Sequence, residues 1–415
     1  TAREIPFTTV DAFTSKPFGG NPAAVIVWDD AALAADDQLA QQIAAEFNLS
    51  ETAFSHRLQG GSDDNPTYEL RWRTPTTEVS LLETDPLDCP LAVLNEASIG
   101  TPLVSAYRKL EEGKSWLLSL MSSARARERS GHATMATAHT LFTQHHPSAT
   151  SITFQSRFSG TLIARRAGTG PNEPIALDFP AAPLVTLEEG HRRRPKILEG
   201  VAKAVKGFEE SQVVRVAWWD GHKAPIVELA AGTDLENLQI TPAPLVRLEK
   251  RSFERLPSGT LINIDNSRPQ ADIGDLIMLT CPAPADSGFD IYSRVFAPAF
   301  GVPEDPVVRS PTPAARRGDS TQVMVHPRCG KADHIVFLAP QTGAAHTALT
   351  PFWLCDDGSL SRLHDGGARA KSTASLRAKQ VSKRGGELVV TLDEQNKRVE
   401  LKGTARRIMK GVIEL

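Results

Sequence analysis

The sequence has few cysteines, and they are far apart. Its 415 residues contain Cys89, Cys281, Cys329 and Cys355, without any C-x-x-C pair. Structural zinc sites and disulfide frameworks use closely spaced cysteines, so the sequence predicts neither of them. The pattern favours a reducing compartment, and we expect a cytoplasmic protein.

Long apolar runs are also missing. A membrane-spanning helix needs about 20 consecutive apolar residues, and no run approaches that length. The opening residues, Thr1–Phe7, contain neither the apolar core of a signal peptide nor an initiator Met. We therefore expect a trimmed or processed chain that is not membrane-embedded.

Neither sign of charge is in large excess. With 46 Lys and Arg against 49 Asp and Glu, the net charge is -3. Such a balance gives no reason to expect nucleic acid or an anionic membrane as a partner. The hydrophobic content of 40% is ordinary for a globular protein, and the length suffices for two or three domains.

Strand signals are spread over most of the chain. A helix is predicted at Asp36–Phe47, where Leu39, Ile43 and Phe47 recur every four residues, and a tight turn at Phe18–Pro22. The tail, Gly385–Leu415, alternates as a closing hairpin or meander would, and Pro171–Leu184 is a candidate link into a second lobe. Strands are predicted at Ile5–Phe13, Ala23–Trp28, Thr52–His56, Tyr68–Thr74, Ile152–Phe158, Thr161–Arg166, Val213–Trp219, Ile226–Ala230 and Asp275–Thr280.

Two segments in different halves of the chain resemble each other. Gly131–Phe142 and Thr342–Trp353 both begin with small residues and continue as apolar helices. This internal repeat predicts a duplicated architecture in which each half contributes one buried helix, with the two N-termini facing each other. Chance similarity between two helices rich in Ala, Thr and His is the alternative.

Two long blocks lack any sustained period. They are Leu82–Arg129 and Val308–Gln341. Loops of this length are uncommon inside a compact domain. Two interpretations stay open: the blocks are loop insertions that cover an active-site cleft, or they are retained intron sequence.

The two predicted helix starts are candidates for anion binding. First-turn N–H groups have no partner inside the helix and lie at the positive end of the helix dipole. Two such ends in one cleft could hold an anionic substrate without a cofactor. The alternative is that the small residues only allow close packing.

His132 stands at the first of these starts, where the dipole would lower its pKa and favour a neutral imidazole. A neutral ring suits a hydrogen-bond partner or proton shuttle, although a structural histidine is the alternative. A metal cluster with His139, His145 and His146 is disfavoured. His132 and His139 lie two helical turns, or roughly 10 Å, apart.

Two acidic residues complete the set of candidates. Glu51 lies between an amphipathic helix and an apolar strand, where partial burial would make it a usable general acid and base. Taken locally, the favoured interpretation is an ordinary solvated loop glutamate. Asp305, in Pro303–Pro306, is read first as a turn residue.

Several segments in the same order resemble the phenazine-biosynthesis F-type family, which has the diaminopimelate epimerase fold. The resemblance runs from one end of the chain to the other except in the two irregular blocks. The segments that carry it are Val10–Val25, Phe47–Phe54, Arg71–Val79, Gly131–Thr134, Phe296–Val307, Thr342–His346 and Leu376–Leu388.

The resemblance implies a cofactor-independent isomerase. Its proton-moving glutamate, aided by a histidine and an aspartate, would correspond to Glu51, His132 and Asp305. The substrate carboxylate would be held by backbone N–H groups of Gly131 and Gly343. The substrate-binding positions implied by the resemblance are Gly131, Thr342, Gly343 and Ala344.

The sequence departs from the family pattern at two positions of this site. Ser130 stands where the family commonly has Cys. Ala344 stands where it usually has Ser, which removes one hydroxyl. A lost hydrogen bond to a charged group costs about 1.5–3 kcal/mol, so we expect a different substrate or rate.

Taken together, the sequence predicts an α+β fold of two pseudo-symmetric lobes, each a β-sheet or barrel wrapped around a central helix. Residues 1–170 would form the N-terminal lobe and 171–415 the C-terminal lobe, with a return of the last strands to the first lobe left open. We expect an isomerase for a small carboxylate-bearing metabolite, without metal or cofactor. A non-catalytic binding or scaffold protein is the alternative, and a homodimer stays open.

Overall fold

The computed structural model describes residues 3–75, 78, 130–157, 160–168, 170, 173–241, 253–255, 261–263, 276–297, 302–305, 342–355 and 359–415. Both blocks predicted as insertions, 82–129 and 308–341, lie outside these residues.

The described residues form a predominantly β structure with short helices. The strands are β1 (Glu4–Ala12), β2 (Asn21–Trp28), β3 (Glu51–Gly61), β4 (Pro66–Arg73), β5 (Ser151–Ser156), β6 (Gly160–Arg166), β7 (Ile175–Pro180), β8 (Val185–Thr186), β9 (Val213–Trp219), β10 (Ala224–Leu229), β11 (Phe253–Arg255), β12 (Leu261–Asn263), β13 (Ile277–Pro282), β14 (Ile291–Ala297), β15 (Val302–Asp305), β16 (Ser375–Gln380), β17 (Gly386–Asp393), β18 (Arg398–Gly403) and β19 (Ala405–Glu414). The α-helices are α1 (Ala31–Ala34), α2 (Asp37–Phe47), α3 (Gly131–Thr140), α4 (Arg194–Ala204), α5 (Thr342–Leu354) and α6 (Ala368–Thr373).

Local sequence explains where α2 begins and ends. The side chain of Asp36 accepts a hydrogen bond from the Leu39 N–H at 2.9 Å, which satisfies one of the first-turn donors. Asn48 ends the helix in the left-handed conformation, with φ of 50°. The buried stripe contains Ala40 and Ile43. The chain therefore turns at Asn48 and enters β3 at Glu51 within three residues.

Seventeen of the strands form one mixed sheet. Following hydrogen-bonded neighbours from one end, the order is β19, β1, β2, β3, β4, β5, β6, β7, β18, β17, β16, β14, β13, β10, β9 and β8, with β15 paired to β14. Strands β11 and β12 pair only with each other among the described strands. The sheet therefore confirms the α+β class.

The strand pairing repeats between the two halves of the chain. From β1 to β7 the six successive pairings are antiparallel, parallel, antiparallel, parallel, antiparallel and antiparallel. The series β9, β10, β13, β14, β16, β17 and β18 shows the same order of pairings. Helix α3 lies in the second parallel crossover of the first series, and α5 lies in the same crossover of the second. The internal repeat predicted from the two helices is therefore present in the topology.

Helix α3 is buried along its whole length. All ten of its residues are buried, and it packs against β1, β2, β3, β7 and β19. Three of its ten residues are threonines, whose hydroxyls would be costly to bury without partners. Thr134, Thr137 and Thr140 each donate to the carbonyl four residues earlier, so the hydroxyls are satisfied within the helix.

The strands predicted from sequence are confirmed, and several further elements are missed. Val213–Trp219 is predicted with the bounds that the structure gives, and the helix at Asp36–Phe47 begins one residue later. The proline-rich stretch Pro171–Leu184 is not a simple link, because residues 175–180 form β7. The other elements that the sequence patterns did not indicate are α1, α4, α6, β8, β11, β12, β14, β15 and β16.

The tail prediction is right for two of its three strands. Strands β17 and β18 form the expected hairpin, but β19 leaves it and pairs with β1 at the other end of the chain. Strand β18 also pairs with β7. The division into lobes at residue 170 stays a prediction.

In the parts of the chain that the structure covers, none of the helices combines the length and apolar character that a membrane crossing requires.

Candidate active site

Glu51 is fully buried at the beginning of β3. Its side chain has no exposed surface, and its Cα is paired with that of Ala23 on the parallel strand β2. The local interpretation of Glu51 as a solvated loop residue is therefore wrong. A carboxyl group buried at a strand start is held in one place, and its environment can tune its acid–base behaviour.

Ser130 and His132 meet Glu51 from the first turn of α3. The Ser130 hydroxyl is hydrogen-bonded to Oε2 of Glu51. Nε2 of His132 lies 3.5 Å from the same oxygen. Both residues are fully buried. The start of α3 therefore brings a hydroxyl and an imidazole to a carboxyl group that lies about 80 residues earlier in the sequence.

His132 is held as a neutral ring. Burial lowers its pKa from 6.5 to about 3. The sequence argument predicted this direction, but from the helix dipole, whereas desolvation is the cause that the structure indicates. Nε2 also lies 3.4 Å from the Ser50 hydroxyl. For Nδ1, the described residues provide no hydrogen-bond partner. A neutral imidazole in this position can donate or accept a proton but adds no fixed charge.

The N-termini of α3 and α5 touch through two glycines. A Cβ atom placed on Gly131 would lie 2.5 Å from the Cα of Gly343, and one placed on Gly343 would lie 2.4 Å from the Cα of Gly131. Real Cβ atoms do not come so close to backbone, so only glycine fits at either position. The prediction that the two helix starts face each other is confirmed.

Of the remaining predicted site residues, Thr342 and Ala344 lie at the beginning of α5, and Asp305 lies at the end of β15. Thr342 is the first residue of α5, and Ala344 is buried in its first turn. Asp305 is the last residue of β15, paired with Val295 of β14. The structure therefore brings Glu51, Gly131, His132 and Gly343 to one place. The role of Asp305 stays a prediction.

The three other histidines considered for a metal cluster, His139, His145 and His146, lie along or directly after α3. Burial, followed by the charge of Arg407, lowers the pKa of His139 to about 4. Nε2 of His146 is 2.7 Å from the Tyr68 hydroxyl. Over the described residues, no three His, Cys, Asp or Glu side chains are placed to share a metal ion.

Ser130 and Ser50 are functional-site residues that were not predicted as such: Ser130 stood out only as a departure from a family pattern, and Ser50 not at all. Both hydroxyls contact the candidate acid or its histidine. A signal for Ser130 was available, because serine directly before a glycine-initiated helix is a favoured N-cap. No comparable signal marked Ser50, which is brought to His132 by the packing of α3 on β2 and β3.

This arrangement is that of an α+β protein with a buried carboxyl group, hydroxyl and imidazole at the N-terminus of one helix, which contacts the N-terminus of a second helix. A comparison with known families agrees with it: the model described as phenazine biosynthesis-like protein matches residues 10–82 and 128–314. The chain belongs to this family. The matched ranges leave out 83–127, which covers most of the first block predicted as an insertion.

Individual relatives support the same assignment over the whole chain. The chain is 28% identical to the mouse phenazine biosynthesis-like domain-containing protein 1, over 99% of both chains. It is 27% identical to a Pseudomonas aeruginosa protein named as an uncharacterized isomerase, again over 99% of both. The solved structure of a PhzF-family phenazine biosynthesis protein from Enterococcus faecalis matches all of both chains with a TM-score of 0.57 at 22% identity. This last match shows that the fold is shared.

Proposed function

We propose that the chain is a cofactor-independent isomerase or epimerase in which Glu51 moves a proton on a small carboxylate-bearing metabolite. The observation that carries the proposal is the buried Glu51 carboxyl, in contact with Ser130 and His132 at the first turn of α3. The family and the relatives named as isomerases, from Pseudomonas aeruginosa and Halalkalibacterium halodurans, support an isomerase-type activity.

Proton transfer at carbon needs a base whose position and protonation are controlled. Glu51 would remove a proton from a carbon near the substrate carboxylate and return it to another carbon on the same face of the substrate. The glutamate is regenerated at the end of each cycle, and no electrons are transferred. The neutral His132, 3.5 Å from Oε2, would hydrogen-bond to Glu51 or relay the proton.

The negative charge of the substrate would be met by the two helix starts. Helix α3 has ten residues and α5 has thirteen, and their first turns touch at Gly131 and Gly343. Each contributes N–H groups and a positive dipole end. We propose that this pair binds the substrate carboxylate, which would place the carbon next to it within reach of Glu51. Thr342 and Ala344 would line the same place, and Asp305 would assist the proton transfer.

The proposal can be tested with unmodified protein and a panel of cyclic and amino acid-derived carboxylic acids. Each acid is screened for binding by its effect on thermal unfolding. Each acid that binds is then incubated with the protein in deuterated water, without added metal or cofactor, and examined by NMR. Incorporation of deuterium at a carbon near the carboxylate supports the isomerase. A non-catalytic binding protein would stabilise itself with one of the acids but exchange no carbon-bound proton.

A further inference from the structure

Ser130 takes part in two hydrogen bonds that belong to different parts of the fold. It is the N-cap of α3, where its Oγ accepts a hydrogen bond from the Ala133 N–H at 3.2 Å. The same Oγ contacts Oε2 of Glu51 on β3. Its side chain is fully buried, so water does not compete for either contact. One atom therefore connects the capping of the central helix to the candidate acid.

The charge of Glu51 settles the direction of the second bond. A serine hydroxyl has one proton and two lone pairs, and an ionised carboxylate can only accept. The Ala133 N–H occupies one lone pair, and the hydroxyl proton is directed at Oε2 of the ionised Glu51. We infer that Ser130 is a positioning residue that donates to Oε2 of Glu51 and holds this oxygen as an acceptor, so that the proton moved by Glu51 is carried on Oε1. The part concerning the moved proton rests on the function proposed above.

His132 is arranged to reinforce this assignment. The Ser50 hydroxyl donates to the Pro22 carbonyl at 3.5 Å, so Ser50 Oγ can accept from Nε2 of His132, 3.4 Å away. A neutral ring with its proton on Nε2 then faces Oε2 of Glu51 as a second donor, 3.5 Å away. These distances are long for N–H donors, so the Ser130 contact is the dominant one. Donors that point at a carboxylate stabilise its charged form.

The described residues that neighbour Glu51 on the adjoining elements are uncharged, paired with other groups, or histidines. On β2, its Cα partner is the uncharged Ala23. On β4, Arg73 is paired with Thr52 but forms ion pairs with Asp37 and Glu78. The titratable residue of α3 beside Glu51 is His132, and the one in the first turns of α5 is the buried His346. Loss of the Ser130 hydroxyl should therefore change the protonation of Glu51 measurably.

The experiment follows the Glu51 carboxyl directly and requires no substrate. Full-length protein is labelled with ¹³C at the glutamate side-chain carboxyl, and the Glu51 resonance is assigned by its loss in Glu51→Gln. Its titration midpoint is measured in wild type, Ser130→Ala, Ser130→Gly and Ser130→Thr. Glycine is nearly as good an N-cap as serine, so Ser130→Gly removes the hydroxyl while largely keeping the cap. Asp36→Ala, which removes the N-cap of α2, is the control for loss of a helix cap alone.

We expect the midpoint to rise by about one pH unit or more in Ser130→Ala and Ser130→Gly. It should stay within a few tenths of wild type in Ser130→Thr, which keeps the hydroxyl, and in Asp36→Ala. A midpoint unchanged in both Ser130→Ala and Ser130→Gly would overturn the inference, as would an equal rise in Asp36→Ala. This titration is independent of turnover. If the midpoint rises but no acid exchanges deuterium, the positioning role stands and the proposed isomerase function fails.

Discussion

Gly131 and Gly343 lie against each other with no room for a side chain on either one. The contact joins the first turns of the two buried helices, each of which comes from one of two topologically equivalent crossovers of the sheet. Two positive helix ends are thereby held at one point, beside the carboxyl of Glu51. Because the two backbones are in contact, even a methyl group added at either glycine would disturb the packing of the two helices.

Replacing either glycine with alanine should force the helices apart. The added Cβ would meet backbone atoms at 2.5 Å or less, and backbone cannot move aside as a side chain tip can. We expect Gly131→Ala and Gly343→Ala each to lower the free energy of unfolding by about 1–3 kcal/mol. Urea unfolding followed by circular dichroism measures this change.

Gly190 provides the matched control for those two variants. A Cβ at Gly190 would meet no atom within 4 Å. Gly190→Ala should therefore change the free energy of unfolding by no more than about 0.5 kcal/mol. If Gly131→Ala were as stable as Gly190→Ala, the close contact of the two helices would be contradicted.

The buried His132 should make stability depend on pH. Its pKa is about 3 in the folded chain against 6.5 for an ordinary histidine, so the unfolded chain binds more protons between these values. Its contribution to stability is therefore complete above pH 6.5 and is lost as the pH falls toward 3. The free energy of unfolding should fall by up to about 1.4 kcal/mol per pH unit from this residue.

Urea unfolding at pH 7, 6 and 5 tests the effect of His132. Carboxylates also contribute to the slope, so the comparison is between wild type, His132→Asn and His364→Gln, which changes a partly exposed histidine outside the site. His132→Asn should have a shallower dependence on pH than wild type, and His364→Gln should follow wild type. Equal slopes for wild type and His132→Asn would contradict a buried, neutral His132.

A second buried carboxylate links α5 to strands β9 and β10 of the same half of the sheet. Glu228 on β10 has no exposed surface and accepts from Arg362 at 2.6 Å and from Arg215 at 3.2 Å. Arg215 also donates to the carbonyl of Phe352 in α5 at 2.6 Å. Removing the carboxylate would leave two guanidinium groups without their common acceptor. We expect Glu228→Ala to destabilise the fold by about 3–5 kcal/mol.

The exposed Glu236→Ala serves as the control for Glu228→Ala in thermal and urea unfolding. It should be within about 0.5 kcal/mol of wild type. If Glu228→Ala had an effect as small as that of Glu236→Ala, the ion pairs of Glu228 with Arg215 and Arg362 would not stabilise the packing of α5 against β9 and β10.

Sequence periodicity was sufficient to predict the strands and helices whose two faces differ in polarity. Tyr68, Leu70 and Trp72 alternate on β4 and are all buried, and the helical spacing from Asp36 to Phe47 gave α2 with nearly correct bounds. Helix α3 has no polar face because it is buried on all sides, and its small residues at the start, rather than any amphipathic pattern, indicated it. The pairing of α3 with α5 was predicted because the same composition occurs twice.

Periodicity could not reveal pairings between residues that are distant in the chain. Strand β7 lies in a proline-rich stretch that was read as a link, and its partners are β6 and β18, which are far apart in sequence. The same limit applies to the site. From its local sequence Glu51 resembles a loop residue, and its burial is evident only from the packing of α3 against β3. The same packing gives the Ser130 hydroxyl its second partner. Burial, which determines the pKa of His132, is likewise a property of the tertiary structure.

The central claim is that Glu51 carries the transferred proton, and the direct measurement is deuterium incorporation by variants of that residue. With an acid that wild type exchanges, Glu51→Gln is compared with Glu46→Gln, which makes the same change at an exposed position of α2. Glutamine keeps the shape of the side chain and an acceptor for Ser130 but cannot take up a proton from carbon. We predict that Glu51→Gln still binds the acid but loses at least about 100-fold in exchange rate, while Glu46→Gln exchanges at the wild-type rate. Exchange by Glu51→Gln at the wild-type rate would contradict the account.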